Sequence, residues 1–359
     1  MSSLLRPGPA ATVPVAPGVT RRDPYFDNVK YLAMLLVVLG HALTVLLDGS
    51  RTARTLYTFL YVFHMPVFVL ISGHLSRSYT GRPAQLRRLL TGVALPYLLF
   101  EAAYTLLTRW GREPERPFSL LHPTYVMWFL LALFVWRVTA PFWAVVRWPV
   151  AVSVGIAALA WVTPGLGGVL GVPRILQFLP FFVIGLRMRP EHFRFLRRRP
   201  ARVAAVVAFV VALPVAYGAT ARDFPPSFYR DMAWIFRTMS VQELGEDLPT
   251  GLFKAAALFV CAALLTAAFL ALVPGRELWF TVLGSGTICA YLLHGFLIQG
   301  GKDSGFFDLF PWLRTAGGLV FFALVTLAVT TALCTPPVRG LLKPVTEPEM
   351  SWAFRRDAR

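Results

Sequence analysis

Three histidines in this chain stand where a membrane-crossing helix ordinarily carries Leu or Val: His41, His64 and His294. Imidazole ionises near neutral pH and can take or give a proton. An ionisable side chain inside an apolar span is costly enough to mark a functional site by default. Lys30 precedes His41 by eleven residues, close to three helical turns, so the two share a face about 16 Å apart along the axis. Met34 and Val37 fall on the same stripe. Asp27, three residues before Lys30, can pair with it at the helix start, where a carboxylate also suits the positive end of the helix dipole. One face therefore runs from a charged mouth to a buried base.

His64 is followed by Met65 and Pro66, and the proline cannot donate to the carbonyl of Val62, which opens the backbone ladder beside the histidine. Counted in from the ends of their own runs, His41 and His64 lie at similar depth, toward the side opposite the N-terminus, so two bases can line one cavity. Gly284, Thr287, Tyr291 and His294 are spaced three, four and three residues apart and share a third helical face. Trp128, near His122, fits an interfacial aromatic belt and is a further candidate for the cavity wall. The plainer alternative for each histidine is a packing hydrogen bond between helices.

These residues sit on elements that only a bilayer explains. The 359 residues are 56% hydrophobic and 15% charged, with mean hydropathy +0.60, whereas soluble domains carry about a quarter charged residues. The net charge of +17 is dispersed in short clusters between apolar runs, which reads as membrane topology and not as a nucleic-acid surface. Cys261, Cys289 and Cys334 lie inside apolar runs without metal or redox spacing, so neither a disulfide nor a metal is expected. Residues 1–21 lack a continuous apolar stretch and read as a disordered cytosolic tail, not a signal peptide.

Ten apolar runs follow: 29–47, 56–75, 86–107, 125–142, 145–162, 175–187, 203–220, 252–273, 278–298 and 316–333. The sixth is short and bounded by Pro173 and Pro190, which leaves a nine-span alternative. With the N-terminus in the cytosol, about 23 of the 35 Lys and Arg fall on that side. This predicts an all-α integral membrane protein of about ten helices in the plasma or inner membrane, with both termini cytosolic. The divisions are a tail (1–21), a transmembrane domain (22–342) and a C-terminal tail (343–359). The loop 221–249 then faces outward, and its Phe224, Tyr229, Trp234 and Phe236 suit either a sugar-like acceptor or the membrane interface. Arg197 to Arg199 read most simply as an inner-side anchor, the alternative being a grip on cofactor phosphates.

RRDPYFDNVKYLAMLLVVLGH, FHMPVFVLISG, MWFLLALF, LPFFVIGLRMR and LGSGTICAYLLHG occur in that order between Arg21 and Gly295. In this ordered set the chain resembles the membrane-bound acyltransferase family 3 proteins, and within them the fucose 4-O-acetylase-like branch. His74 after the SG pair and Cys289 in the last motif depart from the pattern, where aromatics are common. The resemblance implies an enzyme moving an acyl group, usually acetyl, from cytosolic acetyl-CoA or another acyl-CoA to a hydroxyl of a sugar, cell-envelope glycan or glycosylated product. It implies His41 as catalytic base, with Lys30 as its partner in the opening motif. His64, Tyr291 and His294 match later motifs.

The residues agree with that chemistry. O-acyl transfer needs a base near neutrality to take the acceptor proton as the oxygen attacks the thioester. Lys30, with Arg22 and Asp27 at the same mouth, could attract the phosphates of the donor while its long arm reaches toward His41. Direct transfer and a route through acyl-histidine at His41 or His64 both fit. A polytopic transporter or flippase with a histidine relay, and an inactive scaffold, are the competing classes.

Overall fold

The computed structural model describes residues 23–111, 113–348 and 350–354. Among them the chain is helical and contains no strand. Asp23 caps the first helix, α1 (Pro24–Ala42), by accepting the Tyr25 N–H at 2.9 Å, and Pro24 occupies the first turn, where its missing donor costs nothing. Ser50 caps α2 (Arg51–Leu75) in the same way, through the Ala53 N–H. A longer element follows, α3 (Pro83–Leu89) and α4 (Leu95–Gly111) joined by the π-helical turn Leu90–Ala94.

The remaining helices are α5 (Trp128–Val145), α6 (Pro149–Val162), α7 (Val172–Arg187), α8 (Pro190–Leu196), α9 (Arg199–Ala219), α10 (Phe228–Phe236), α11 (Leu248–Leu272), α12 (Thr287–Asp303), α13 (Ala316–Leu333) and α14 (Pro336–Thr346). Seven helical segments are long and apolar enough to cross a membrane: Pro24–Val45, α2, Pro83–Gly111, α5, α9, α11 and α13. Three shorter ones, α6, α7 and α12, overlap the other apolar runs, but the ninth run is broken: a 3-10 turn, Thr281–Ser285, precedes α12, so Gly284 is not on the helix that carries Thr287, Tyr291 and His294. The sixth run extends further back than its proline suggested. Pro173 lies within the first turn of α7 instead of bounding it, because a first-turn proline lacks only a donor the helix does not use. Helix α14 runs past residue 342, so the first residues of the C-terminal tail, as far as Thr346, are helical.

Helix α2 is the centre of the assembly, packed against α1, α7, α9 and α11. Its crossing with α7 is set by two glycines. A Cβ on Gly73 would collide with the Phe182 carbonyl oxygen, and one on Gly185 with that of Leu70. Small residues let backbones approach where lipid offers no hydrophobic drive to associate. The start of α1 is fixed from the other side. The Tyr25 hydroxyl donates to the Leu270 carbonyl at 2.8 Å, and fully buried Asn28 donates to the carbonyls of Pro274 and Arg276 at 2.9 Å while accepting from Thr281 Oγ1 at 2.7 Å. Lys30 and His41 are thus carried on a helix anchored at its charged end.

The chain between α4 and α5 is tied down by Glu101, a fully buried carboxylate inside α4. It accepts the Thr124 N–H at 2.8 and 2.9 Å on its two oxygens and the Thr124 hydroxyl at 2.6 Å. The Tyr291 hydroxyl of α12 donates to the carbonyl of Val126 just beyond. The backbone around Pro123, Tyr125 and Val126 is therefore held from two helices.

Candidate functional site

His41 lies in the last turn of α1. Its Nδ1 shares a 3.0 Å hydrogen bond with the Tyr61 hydroxyl of α2, and its ring centre is 4.9 Å from that of Tyr125 and 5.2 Å from that of His294. His64, one turn beyond Tyr61, bonds through Nδ1 to the carbonyl of Leu60 at 2.7 Å. His294 makes the corresponding bond to the Ala290 carbonyl at 2.9 Å. A carbonyl can only accept, so in both rings Nδ1 carries the proton and a neutral imidazole presents a bare Nε2. Neither Nε2 has a hydrogen-bond partner among the described residues.

His41 and His64 face one cavity of about 480 Å³ with Tyr61, Trp128, Arg174 and Gln299 in its wall. The Arg174 guanidinium lies 5.1 Å from the Trp128 ring, and among the described residues the wall contains no Asp or Glu. Helix α10 covers the cavity with Tyr229, Ile235 and Phe236. Trp234 of the same helix points elsewhere, packed on the cluster around Trp161. Of the four aromatics singled out in loop 221–249, Tyr229 and Phe236 line the cavity and Phe224 and Trp234 do not.

A second cavity, about 370 Å³, runs beside the first half of α1. Lys30, Met34 and Val37 form one wall, with Met65, Arg137 and Tyr291 among the others. Met65 also lines the first cavity. The stripe from Lys30 to His41 is therefore continuous but divided, with Val37 on one side of the partition and His41, one turn on, across it. Lys30 is ion-paired with Asp27 at 2.7 Å, and Arg137 donates from Nε to Ser76 Oγ at 3.2 Å. Two cations, Lys30 and Arg137, stand along a largely apolar passage that also holds Glu347 and the hydroxyls of Ser72, Thr287 and Thr346, and its inner end meets a chamber of imidazole, phenol and guanidinium groups. Such a pair of chambers can admit two reactants from opposite ends and join them where a base is available.

Of the residues singled out in sequence, His41, His64 and Trp128 meet in the first cavity and Lys30 and Tyr291 in the second. His294 stands behind His41 in ring contact and is not part of the cavity wall. Asp27 reaches the site only through Lys30. Arg22 lies outside the described residues. Arg174 escapes the hydropathy pattern because Pro173, beside it, reads as the edge of the run, although both lie in the first turn of α7. Glu101 and Arg137 escape it too, although an ionisable residue within an apolar run is itself the signal that finds them. Tyr61, four residues after Tyr57 and three before His64, carried the helical spacing that puts it on the histidine's face.

The family model described as an acyltransferase domain matches residues 23–335. The chain is 28% identical over 205 residues to nodulation protein NolL of Sinorhizobium fredii, covering 50% of this chain and 53% of that protein. It is 40% identical over 62 residues to NolL of Mesorhizobium japonicum, covering 16% of this chain and 17% of that protein. The chain thus spans about half the length of the first of these relatives and less of the second. No solved structure matches it.

Proposed function

Because this chain belongs to the acyltransferase-domain family, we propose that it is a membrane O-acyltransferase moving an acyl group, acetyl in the simplest case, from acyl-CoA to a hydroxyl of a sugar or glycosylated acceptor. The observation that carries the reading is the pair of cavities along α1 that meet at Met65, with Lys30 in one and His41 in the other. The donor arm lies in the narrower passage with its thioester near Met65, its phosphates held outside by Lys30 and Arg137. The acceptor occupies the larger chamber beneath α10, where Arg174 and Gln299 offer polar contacts to a hydroxyl-rich ring.

His41 Nε2 takes the proton from the acceptor hydroxyl as its oxygen attacks the thioester carbonyl. The new C–O bond forms and the C–S bond breaks. The departing thiolate takes the proton from the imidazolium, leaving free CoA thiol and the neutral base. Tyr61 steadies the imidazolium through Nδ1, and His294 packs behind it. In this reading α6, α7 and α12, at 14, 16 and 17 residues, complete ten crossings. Both termini and the Lys30 mouth face the cytosol, and residues 22–342 form the catalytic unit.

The test is incubation of membranes containing the protein with radiolabelled acetyl-CoA and a glycan extract of the host, comparing wild type with His41→Ala at matched expression. Label in an alkali-labile ester with wild type alone is the expected result. Equal transfer by both proteins overturns the role of His41, and substrate crossing the membrane without acyl-CoA favours a transporter.

A further inference from the structure

Away from the two cavities along α1, an apolar groove of about 360 Å³ runs between α7, α8 and α11, lined by Leu70, Phe181, Ile184, Ala263, Ala267 and Leu270 among others. At its end it shares Met188 and His192 with a polar pocket of about 410 Å³ whose wall holds Arg77, Arg187 and Arg189. None of these three arginines takes part in the ion pairs found among the described residues. The one carboxylate close by in sequence, Glu191, is bonded to Arg194 at 2.6 Å. His192 accepts the Arg189 N–H on Nδ1 at 3.0 Å, so its Nε2 carries the proton and is a fourth donor.

One polar group interrupts the groove. Thr266 is 1% exposed, and its hydroxyl has no partner among the described residues. Thr326, Thr330 and Thr331, also inside a span, each donate to their own i−4 carbonyl at 2.7 to 2.8 Å. Thr266 makes no such bond and is left as a donor to whatever fills the groove.

We propose that the groove and the basic pocket together hold one anionic phospholipid: an acyl chain between α7 and α11, an ester oxygen at Thr266, and the headgroup phosphate among Arg77, Arg187, Arg189 and His192. A soluble anion would satisfy the arginines and leave the groove empty, whereas an amphiphile with one negative head matches both halves. Basic pockets at the membrane face attract anionic headgroups at about fivefold in affinity per cation.

The experiment is extraction of the full chain into lipid nanodiscs made with phosphatidylcholine and a fixed minor fraction of phosphatidylglycerol, followed by purification and mass spectrometry of retained lipid. Wild type retains phosphatidylglycerol above its bulk fraction. Arg187→Gln and Arg189→Gln each lower that enrichment about fivefold, and Ala267→Leu, which fills the groove without touching a charge, lowers it too. Arg88→Gln, an exposed arginine of α3, leaves it unchanged. Retention that is the same in wild type and all variants overturns the proposal. So does a rise in KM for acetyl-CoA in the arginine variants with lipid retention intact, since the pocket would then serve the donor's phosphates.

Discussion

Replacing Glu101 tests whether the cavity around His41 is held in place from outside its own wall. The carboxylate never touches that cavity, yet it accepts the N–H and hydroxyl of Thr124 and, more weakly, the Thr105 hydroxyl at 3.4 Å. Glu101→Ala leaves the Thr124 N–H and hydroxyl without their acceptor in a site that is 0% exposed. Each unsatisfied buried donor costs about 1–3 kcal/mol, so the two together cost about 2–6 kcal/mol. Glu101→Gln keeps one oxygen for the N–H and gives up the charge assistance, a loss of about 1–2 kcal/mol. Residues one to three positions on, Tyr125, Val126 and Met127, sit against His41, the Tyr291 hydroxyl and the core. The chain there should loosen in the same order. Heating detergent-solubilised protein and measuring what stays soluble should rank wild type above Gln and Gln above Ala, with acyl transfer falling in parallel. An Ala variant as heat-resistant and active as wild type would refute the claim that Glu101 positions this segment.

Met65→Ala should open the partition between the cavities and raise the ratio of kcat/KM for propionyl-CoA over acetyl-CoA by up to about fourfold, the worth of one buried methylene at 0.8 kcal/mol, while Met65→Trp should close it and slow both donors. A chain-length ratio unmoved by either substitution would show that the chambers do not communicate there. Tyr61→Phe keeps the ring packed on His64 and Phe236 but removes the hydroxyl bonded to His41. A hydrogen bond to a charged partner is worth about 1.5–3 kcal/mol, so kcat should fall about 10- to 100-fold with KM for acyl-CoA unchanged, as steady-state kinetics will show. Glu243, in the loop before α11, accepts N–H bonds from Ser240 at 2.7 Å and Gly165 at 3.0 Å, which hold its carboxyl below the usual carboxylate range. The folded state therefore favours the ionised form, and its contribution is complete at neutral pH and lost as pH falls through that depressed value. The protection factor of the Gly165 amide, with the intrinsic pH dependence of exchange divided out, should fall on acidification in wild type and be low already at neutral pH in Glu243→Ala.

The sequence made the stripe from Lys30 to His41 legible because helical periodicity alone sets which side chains share a face, and nothing in the packing of α1 disturbs it. The apolar runs were legible for the same reason, since hydrocarbon demands length and hydrophobicity before it demands partners. What hydropathy cannot show is which helix lies beside which. Spacing puts His294 on one helical face with Tyr291, but its contact with His41 arises from the packing of α12 on α1. Arg174 was hidden by a proline that the first turn of a helix tolerates, and Glu101 by averaging one charge over a long apolar window. The glycines of FHMPVFVLISG and LPFFVIGLRMR were visible as motif letters, and their meaning, a mutual backbone approach of α2 and α7, required both helices at once.

The way the three histidines are bonded separates their roles more sharply than their depth does. A buried ring N–H needs a hydrogen-bond partner. His64 and His294 find it in the carbonyl one turn back on their own helices, at Leu60 and Ala290. Those bonds hold as long as the helices do, whatever the neighbouring helices are doing. His41 instead bonds to Tyr61, a hydroxyl from another helix that can both donate and accept. With Nε2 bare, His41 Nδ1–H donates to the Tyr61 oxygen, and it keeps donating when Nε2 gains a proton. What sets His41 apart is that its orienting partner is a side chain of another helix and part of the cavity wall, not its own helix backbone. The same bond couples His41 to the α1–α2 packing, where a Cβ on Gly40 would press on the Tyr61 ring.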